Sequence, residues 1–185
     1  NLWGKLGWWD SSYRIPLFIY VPQNNPKKIN HLTESVDVAP TILEWLGGEI
    51  PIDWNGQSLM HNINDQYEKS PNKEFVVFDY DFRESTDFVK DKKLAPEQCN
   101  LSVIRNNKWK YVHFPSLPCL LFDLENDPNE INDLSRVKEF QDIKNDLVSK
   151  LLSHRMLHQE RQLSNTKLSS SGVNTNSGPF SRKME

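Results

Sequence analysis

A continuous apolar run, residues 15–21 (Ile-Pro-Leu-Phe-Ile-Tyr-Val), dominates the hydrophobic pattern near the start of the chain. Its length and its β-branched and aromatic content are those of a fully buried strand. Such a strand needs neighbours at both edges and cover on both faces. The chain begins at Asn1 without a Met, and the loop-like residues 1–14 offer no such neighbours. We therefore expect the C-terminal piece of a larger α/β protein.

The next apolar pattern has the spacing of a short helix. Asp37 is a candidate N-cap, and Pro40 is tolerated in the first turn. Gly47 and Gly48 are typical of a helix end. The apolar face of this helix consists of Val38, Ile42, Leu43 and Leu46.

The second half of the chain predicts an antiparallel sheet covered by a helix. The expected strands are residues 74–82, 101–105, 108–114 and 120–124, with a hairpin at Asn106-Asn107 and a charged loop over 83–98. A long amphipathic helix is expected over 136–161. Its apolar stripe is Val137, Phe140, Ile143, Leu147 and Leu151. This half is therefore an α+β layer beside an α/β core.

We place domain limits at residues 64 and 163. Residues 1–64 are expected to be the end of the α/β core, and residues 65–163 the antiparallel sheet with its helix. Residues 164–185 are rich in Ser, Asn, Thr and Lys, which is typical of an extended tail or an oligomerisation arm. In such an arm, Leu168, Val173 and Phe180 would be isolated anchors on a neighbouring subunit.

Charge and cysteine content exclude several classes of partner and compartment. The 22 basic and 25 acidic residues give a net charge of −3, without a basic stripe interleaved with aromatics, so no nucleic-acid partner is expected. No run approaches the ~18 apolar residues of a membrane span, so no membrane partner is expected. Cys99 and Cys119 have no metal-binding spacing, and we expect two free thiols and a cytoplasmic location.

Several polar residues have both a chemical and a structural interpretation. His154 and His158 have the i, i+4 spacing of metal ligands, but a solvated helix face is the alternative. Asp79 and Asp81 alternate on a strand and could bind a metal or transfer protons, or simply mark a strand end. His113 is expected to be structural. Lys5 lies between Gly4 and Gly7 before the apolar run, where an ammonium could meet an anionic substrate or be a plain surface lysine.

Five segments, in the same order, resemble the sulfatase group of the alkaline phosphatase superfamily. They are residues 4–7 with 12–17, 35–43, 55–59, 105–111 (Arg-Asn-Asn-Lys-Trp-Lys-Tyr) and 121–130 (Leu-Phe-Asp-Leu-Glu-Asn-Asp-Pro-Asn-Glu). Residues 112–122 look most like the phosphonate monoester hydrolase and phosphodiesterase branch. The resemblance implies an alkaline-phosphatase-like α/β/α fold ending in a small antiparallel subdomain.

The resemblance also implies an activity, a cofactor and a catalytic residue. The family hydrolyses small-molecule sulfate, phosphate or phosphonate esters with a divalent metal (Ca, Mn or Mg). Its nucleophile is a formylglycine made from a Cys-x-Pro-x-Arg motif, which surrounds neither Cys99 nor Cys119. The nucleophile and metal ligands are therefore expected upstream, and no residue of this chain is assigned to the metal. Lys5 matches the lysine that contacts the transferred anion.

Two functional hypotheses follow. The first is the C-terminal portion of a metal-dependent sulfatase-family hydrolase, inactive alone, that assembles as a homo-oligomer, with a tetramer as the candidate form. The second is a non-catalytic assembly or binding module related to sulfatases. The sequence before Asn1 would discriminate them, because only an enzyme needs the nucleophile motif and the metal ligands.

Overall fold

The computed structural model describes residues 7–22, 24–51, 54–64, 73–83, 85–158, 166–170 and 172–175. These residues group into two compact units. One unit draws on residues 1–23 and 74–151, and the other draws on residues 24–73 and 152–185. The domain limits at residues 64 and 163 stay predictions. In the described part of the chain, no helix combines the length and the apolar composition needed to cross a membrane.

The first unit is built on a four-stranded antiparallel sheet. Its strands are β1 (Val76–Asp81), β2 (Asn100–Arg105), β3 (Trp109–His113) and β4 (Leu120–Asp123), each paired with its neighbour in the chain. The predicted hairpin is present between β2 and β3. The Asn106 side-chain oxygen accepts hydrogen bonds from the backbone N–H groups of Lys108 (2.9 Å) and Trp109 (2.6 Å), a common way for Asn to close a turn.

Both faces of this sheet bury apolar side chains. Because side chains alternate along a strand, β2 sends Val103 to one face and Ile104 to the other. The first core contains Phe82, Cys99, Leu101, Val103, Val112, Phe114 and Phe122. The second core contains Ile104, Tyr111, Leu121, Leu147 and Leu151. The sheet is therefore the middle layer of the first unit.

The long predicted helix is confirmed, with a later start and an earlier end. It is α5 (Gln141–Leu157), preceded by a short 3₁₀ turn over Lys138–Phe140. Leu147 and Leu151 are buried in the second core, with Phe140 and Ile143 packed beside them. Val137 precedes the helix and is 39% exposed, so it is not part of the buried stripe.

The expectation of a charged loop over residues 83–98 is wrong. This segment contains α4 (Thr86–Lys92), which ends at Lys93 in the left-handed conformation, and a 3₁₀ turn over Pro96–Gln98. Val89 packs against the first core, and the Phe88 ring lies 5.9 Å from the Phe82 ring. Two apolar contacts therefore order a segment whose charged composition hides its helical period.

The expectation of a buried strand over residues 15–21 is not met by the described structure. The segment has no regular secondary structure, and Phe18 and Tyr20 are 90% and 87% exposed. A strand is held by hydrogen bonds to a neighbouring strand, and none of the described strands pairs with this segment. It therefore presents an exposed apolar surface, which we call the apolar segment.

In the second unit, α2 (Val38–Trp45) confirms the predicted short helix and its end at Gly47. Asp37 lies at the predicted N-cap position of α2, but its side chain makes no cap bond to the helix. Asp37 is fully buried and accepts hydrogen bonds from the backbone N–H groups of Glu34 and Gln57 (both 2.8 Å). Lys73 Nζ lies 2.7 and 2.8 Å from its two oxygens.

Gly56 explains why the segments 35–43 and 55–59, which both carry the family resemblance, occur together in this unit. A Cβ atom at this position would lie 1.9 Å from the carbonyl oxygen of Val36, so only glycine permits this backbone approach. The approach brings the N–H of Gln57 to Asp37. Thr41 Oγ1 completes the connection by accepting from the N–H of Leu59 at 2.9 Å, just before α3 (Met60–Ile63).

The tail contains regular structure that its composition did not predict. A hairpin of β5 (Thr166–Ser169) and β6 (Gly172–Thr175) pairs Leu168 directly with Val173. The arm hypothesis treated these two residues as isolated anchors, but in the hairpin their backbones are paired. Phe180 lies outside the described residues.

We predict that Leu147→Ala lowers the free energy of unfolding by about 2–5 kcal/mol, because the side chain is 2% exposed and its removal leaves a cavity. Leu152→Ala on the same helix is the control, since Leu152 is 59% exposed and should cost at most about 0.5 kcal/mol. Urea unfolding followed by circular dichroism measures both. Equal losses in the two variants would contradict the packing of α5 on the second core.

Candidate functional site

The loop that follows Lys5 is packed against the first core. Gly7 adopts φ +67°, a left-handed conformation that favours glycine. The Trp8 ring meets the Phe114 ring edge-on at 5.8 Å, and its buried indole N–H finds no acceptor among the described residues. The one-turn helix α1 (Asp10–Tyr13) follows, and Tyr13 stacks on Phe78 at 4.0 Å. Lys5 itself lies outside the described residues.

A buried charge cluster of Asp10, Arg105, Lys110 and Glu130 joins this loop to the sheet. The Lys110 ammonium is inaccessible to solvent and lies 2.8 Å from both Asp10 Oδ1 and Glu130 Oε2. Arg105 Nη2 lies 3.0 Å from Asp10 Oδ2. The backbone N–H of Asp10 donates to Glu130 Oε1 at 2.7 Å. The cluster thus binds both the side chain and the backbone of the loop.

The sheet and one turn supply the fixed partners of the cluster. Arg105 ends β2 and pairs in register with Lys110 of β3. Glu130 follows the turn after β4 and adopts φ +56°, which is uncommon for a residue with a side chain. Both of its carboxylate oxygens are thereby directed at the loop and at Lys110.

The electrostatics of the cluster favour an ionised Asp10. Burial by itself would raise the pKa of the Asp10 carboxyl, but the hydrogen bonds and positive charges of Lys110 and then Arg105 outweigh it. The pKa of Asp10 is therefore lowered from its ordinary value. Since removing one partner of a buried pair leaves an uncompensated charge, each member depends on the others.

The other sequence candidates on the sheet have structural partners. Asp79 and Asp81 are exposed on one face of β1, where Asp79 accepts from Ser102 Oγ and Asp81 pairs with Arg83 at 2.7 Å. His113 Nδ1 lies 2.9 Å from the Tyr111 hydroxyl, which fits its structural interpretation. In the described part of the chain, no three His, Cys, Asp or Glu side chains are grouped to hold a metal ion.

The His154 and His158 rings lie 4.2 Å apart at the end of α5, as their spacing predicts. His158 Nδ1 is 2.9 Å from Asn55 Oδ1. Two imidazoles at this spacing would be two ligands of a site that needs at least three from protein. Nothing among the described residues supplies a third.

Both cysteines are free thiols, as predicted. Cys99 is buried in the first core, and its thiol donates to the Ala95 carbonyl oxygen at 3.2 Å. Cys119 packs beside the second core. Burial in apolar surroundings makes the Cys99 thiol unreactive, so the structure gives Cys99 a packing role.

Sequence reasoning did not identify the members of the buried charge cluster. Arg105, Lys110 and Glu130 occur in segments that carry the family resemblance, yet no role could be assigned to them. One signal was present: in the hairpin pattern, Lys110 falls on the same face as Val112, where an apolar residue is expected. A lysine at such a position needs a buried partner, and Asp10 is 100 residues away in sequence.

Comparison with known proteins agrees with the architecture. Residues 2–157 match the family model described as N-sulphoglucosamine sulphohydrolase, C-terminal. The multifunctional alkaline phosphatase superfamily protein PehA of Trinickia caryophylli is 37% identical over 95% of this chain and 35% of its own length. The choline-sulfatase of Rhizobium meliloti is 32% identical over 73% of this chain and 24% of its own length.

Among solved structures, the phosphonate monoester hydrolase SpPMH from Silicibacter pomeroyi superposes with a TM-score of 0.77 at 27% identity. The superposition covers 94% of this chain and 35% of that one. The fold is thus that of the C-terminal region of alkaline phosphatase superfamily hydrolases, as the resemblance implied. The chain belongs to the N-sulphoglucosamine sulphohydrolase C-terminal family. It spans about a third of the length of PehA and of SpPMH.

We predict that Asp10 stabilises the fold in a pH-dependent way. Because its pKa is lowered in the folded state, its contribution is complete above its unfolded value of about 3.9 and is lost as the pH falls through the lower folded value. Asp10→Asn should therefore flatten the fall of the unfolding free energy below about pH 4. Urea unfolding at several pH values between about pH 2 and 6 measures this.

Asp81→Asn is the matched control. The hydrogen bonds and charge of Arg83 lower the pKa of Asp81 as well, but both side chains are largely exposed, and water screens their interaction. Its pH curve should stay close to that of the wild type. An Asp10→Asn curve parallel to the wild type would contradict the prediction.

Proposed function

We propose that this chain is the C-terminal portion of a metal-dependent hydrolase that cleaves sulfate, phosphonate or phosphodiester bonds. The observation that carries the proposal is the match to the sulphohydrolase C-terminal family over residues 2–157. The similarity to PehA over 95% of the chain extends that support through the tail. The name of SpPMH supports a phosphonate ester as substrate, whereas the family model and the choline-sulfatase support a sulfate ester.

Lys5 is the residue of this chain that we propose to be catalytic. In-line attack on sulfur or phosphorus builds negative charge on the non-bridging oxygens. A fixed ammonium stabilises that charge where water is partly excluded. Lysine suits this task as a compact charge with three donors. The support is the Gly-Lys-Leu-Gly sequence at residues 4–7, directly before a loop that is firmly held by the sheet.

The metal and the formylglycine do not fit the described residues. No described group of His, Cys, Asp or Glu could bind a metal, and both thiols are held in packing roles. We therefore propose that the divalent ion and the nucleophile belong to the remainder of the enzyme, which the relatives have and this chain does not span.

We also propose that the whole enzyme is a homo-oligomer in which residues 164–185 contact a neighbouring subunit. The polar composition of this tail supports the proposal, because it cannot bury enough apolar surface to form a core. The hairpin of β5 and β6 offers an edge to a partner, since short two-stranded hairpins are marginally stable by themselves.

We predict that residues 1–185, purified alone, do not hydrolyse 4-nitrophenyl sulfate or 4-nitrophenyl phenylphosphonate. The reason is that they carry one proposed catalytic group and no described metal site. Release of 4-nitrophenolate with and without added Ca²⁺, Mn²⁺ or Mg²⁺ is the measurement. Metal-dependent turnover by the purified chain would refute the proposed division of the active site.

In the full-length enzyme, Lys5→Ala should lower kcat/KM by roughly 10²–10³, which is a loss of about 3–4 kcal/mol of transition-state stabilisation. The fold should survive, so the thermal unfolding midpoint should stay near that of the wild type. Lys28→Ala is the control, since Lys28 is an exposed lysine of the second unit to which no role is assigned. Near wild-type activity of Lys5→Ala would make Lys5 an ordinary loop residue.

Deletion of residues 164–185 from the full-length enzyme should reduce its oligomeric state, because the proposed intersubunit contact is lost. Light scattering coupled to size-exclusion chromatography gives the mass of both forms. An unchanged mass would reject the intersubunit arm and leave a tail that belongs to one subunit.

A further inference from the structure

We propose that the buried charge cluster positions Lys5, with Asp10 and Glu130 as its positioning residues. The inference rests on the proposed role of Lys5 in hydrolysis. It assigns a second task to Asp10 in the loop that follows Lys5 and to Glu130, which lies 120 residues away in the turn after β4.

A buried ion cluster fixes geometry more than it adds stability. Desolvating charges is costly, so a cluster of this kind stabilises a fold no better than apolar side chains of the same size. Its hydrogen bonds are directional, however, and they hold their partners in one arrangement. Lys110 is fully buried, and its neighbours Val112 and Phe122 belong to an apolar core, so the position could have held an apolar residue.

The cluster holds the backbone of the loop as well as a side chain. Glu130 accepts from the backbone N–H of Asp10 through one oxygen and from Lys110 through the other. A contact to the backbone fixes the path of the chain, which a side-chain contact alone does not. Glu130 reaches both partners from a left-handed backbone conformation, φ +56°, which costs free energy that a purely structural turn would avoid with glycine.

Lys5 lies close along the chain to the held loop. The restraint extends to both sides of Asp10, because the N–H of Arg14 donates to the Asp10 carbonyl at 2.7 Å and the Trp8 ring packs on the first core. Gly7 is the first described residue, and two residues of chain span at most about 7 Å. The proposal is that the alignment of Lys5 depends on the held loop through this short connection, and misplacement of a catalytic group by about 1 Å can cost as much as 10²-fold in rate.

The test is a double-mutant cycle in the full-length enzyme with 4-nitrophenyl phenylphosphonate as substrate. Glu130→Gln keeps the size of the side chain and removes its charge. We expect it to lower kcat roughly tenfold and to leave KM within about twofold, because the loss is one of alignment and not of substrate binding. In the Lys5→Ala background the same change should alter kcat less than about twofold, since no ammonium is left to misplace.

Glu34→Gln is the matched control. Glu34 is also paired with a partly buried lysine, Lys73, at 2.6 Å. Both belong to the second unit, whereas the loop at residues 7–14 belongs to the first. It should leave kcat unchanged in both backgrounds. The thermal unfolding midpoint of every variant shows whether the protein is folded at the assay temperature, and Asp10→Asn provides a second cycle should Glu130→Gln not fold.

Three outcomes are distinguishable. If Lys5→Ala impairs the enzyme and Glu130→Gln and Asp10→Asn reduce kcat equally in both backgrounds, the cluster is only structural and the inference is overturned. If Lys5→Ala leaves activity intact, the proposed role of Lys5 falls and the inference with it. A loss with Glu130→Gln that disappears in the Lys5→Ala background supports the positioning role.

Discussion

The ammonium of Lys110, shared between Asp10 and Glu130, is the interaction on which the architecture of the first unit depends. It is a full charge inside a protein layer where the surrounding side chains are apolar. Such a charge is tolerated only with compensating partners, so the strand that carries it requires both carboxylates to be present. One comes from a loop near the start of the chain and the other from a turn after β4. The charge therefore determines which distant segments meet.

The second unit also contains a buried charge that joins separate segments of the chain. There, the buried group is the carboxylate of Asp37, and its partners are two backbone N–H groups and Lys73. The contacts close the loop around Gly56 on α2, and no sequence candidate for catalysis is involved. Buried charge thus serves as a connector in both units, and in the first unit it holds the loop that follows Lys5 in sequence.

Local pattern was sufficient where local contacts decide the structure. The four strands, the turn at Asn106 and the long helix all follow from spacing, because hairpins and amphipathic helices bury their own apolar faces against near neighbours. Pattern was insufficient for α4, whose two apolar contacts, from Phe88 and Val89, are masked by charged residues. It placed Asp37 correctly at the N-cap position of α2 but did not show that the side chain holds a loop, because the loop partner, Gln57, lies 20 residues away in sequence.

Only part of the candidate site could be predicted, and that part came from resemblance to a family and not from local pattern. Lys5 followed from a resemblance carried by short segments, and its role stays a prediction. The buried charge cluster could not be predicted from one sequence, because its pairings span 95, 100 and 120 residues. No local rule connects residues so far apart. The expected strand at residues 15–21 shows a second limit of prediction from sequence. The apolar composition of this segment predicts that neighbouring strands cover it, but none of the described strands pairs with it.

The long separation between Asp10 and its partners has a consequence during synthesis. A ribosome adds roughly 5–20 residues per second, so the loop leaves the exit tunnel roughly 5–25 s before Lys110 and Glu130 do. For that time Asp10 has no partner to dock on, whereas β1 to β4 can pair as soon as each strand emerges, since each contacts its predecessor. The nascent chain therefore passes through a stage in which the loop around Asp10 is not yet docked, and completion of the sheet and of the turn at Glu130 ends it.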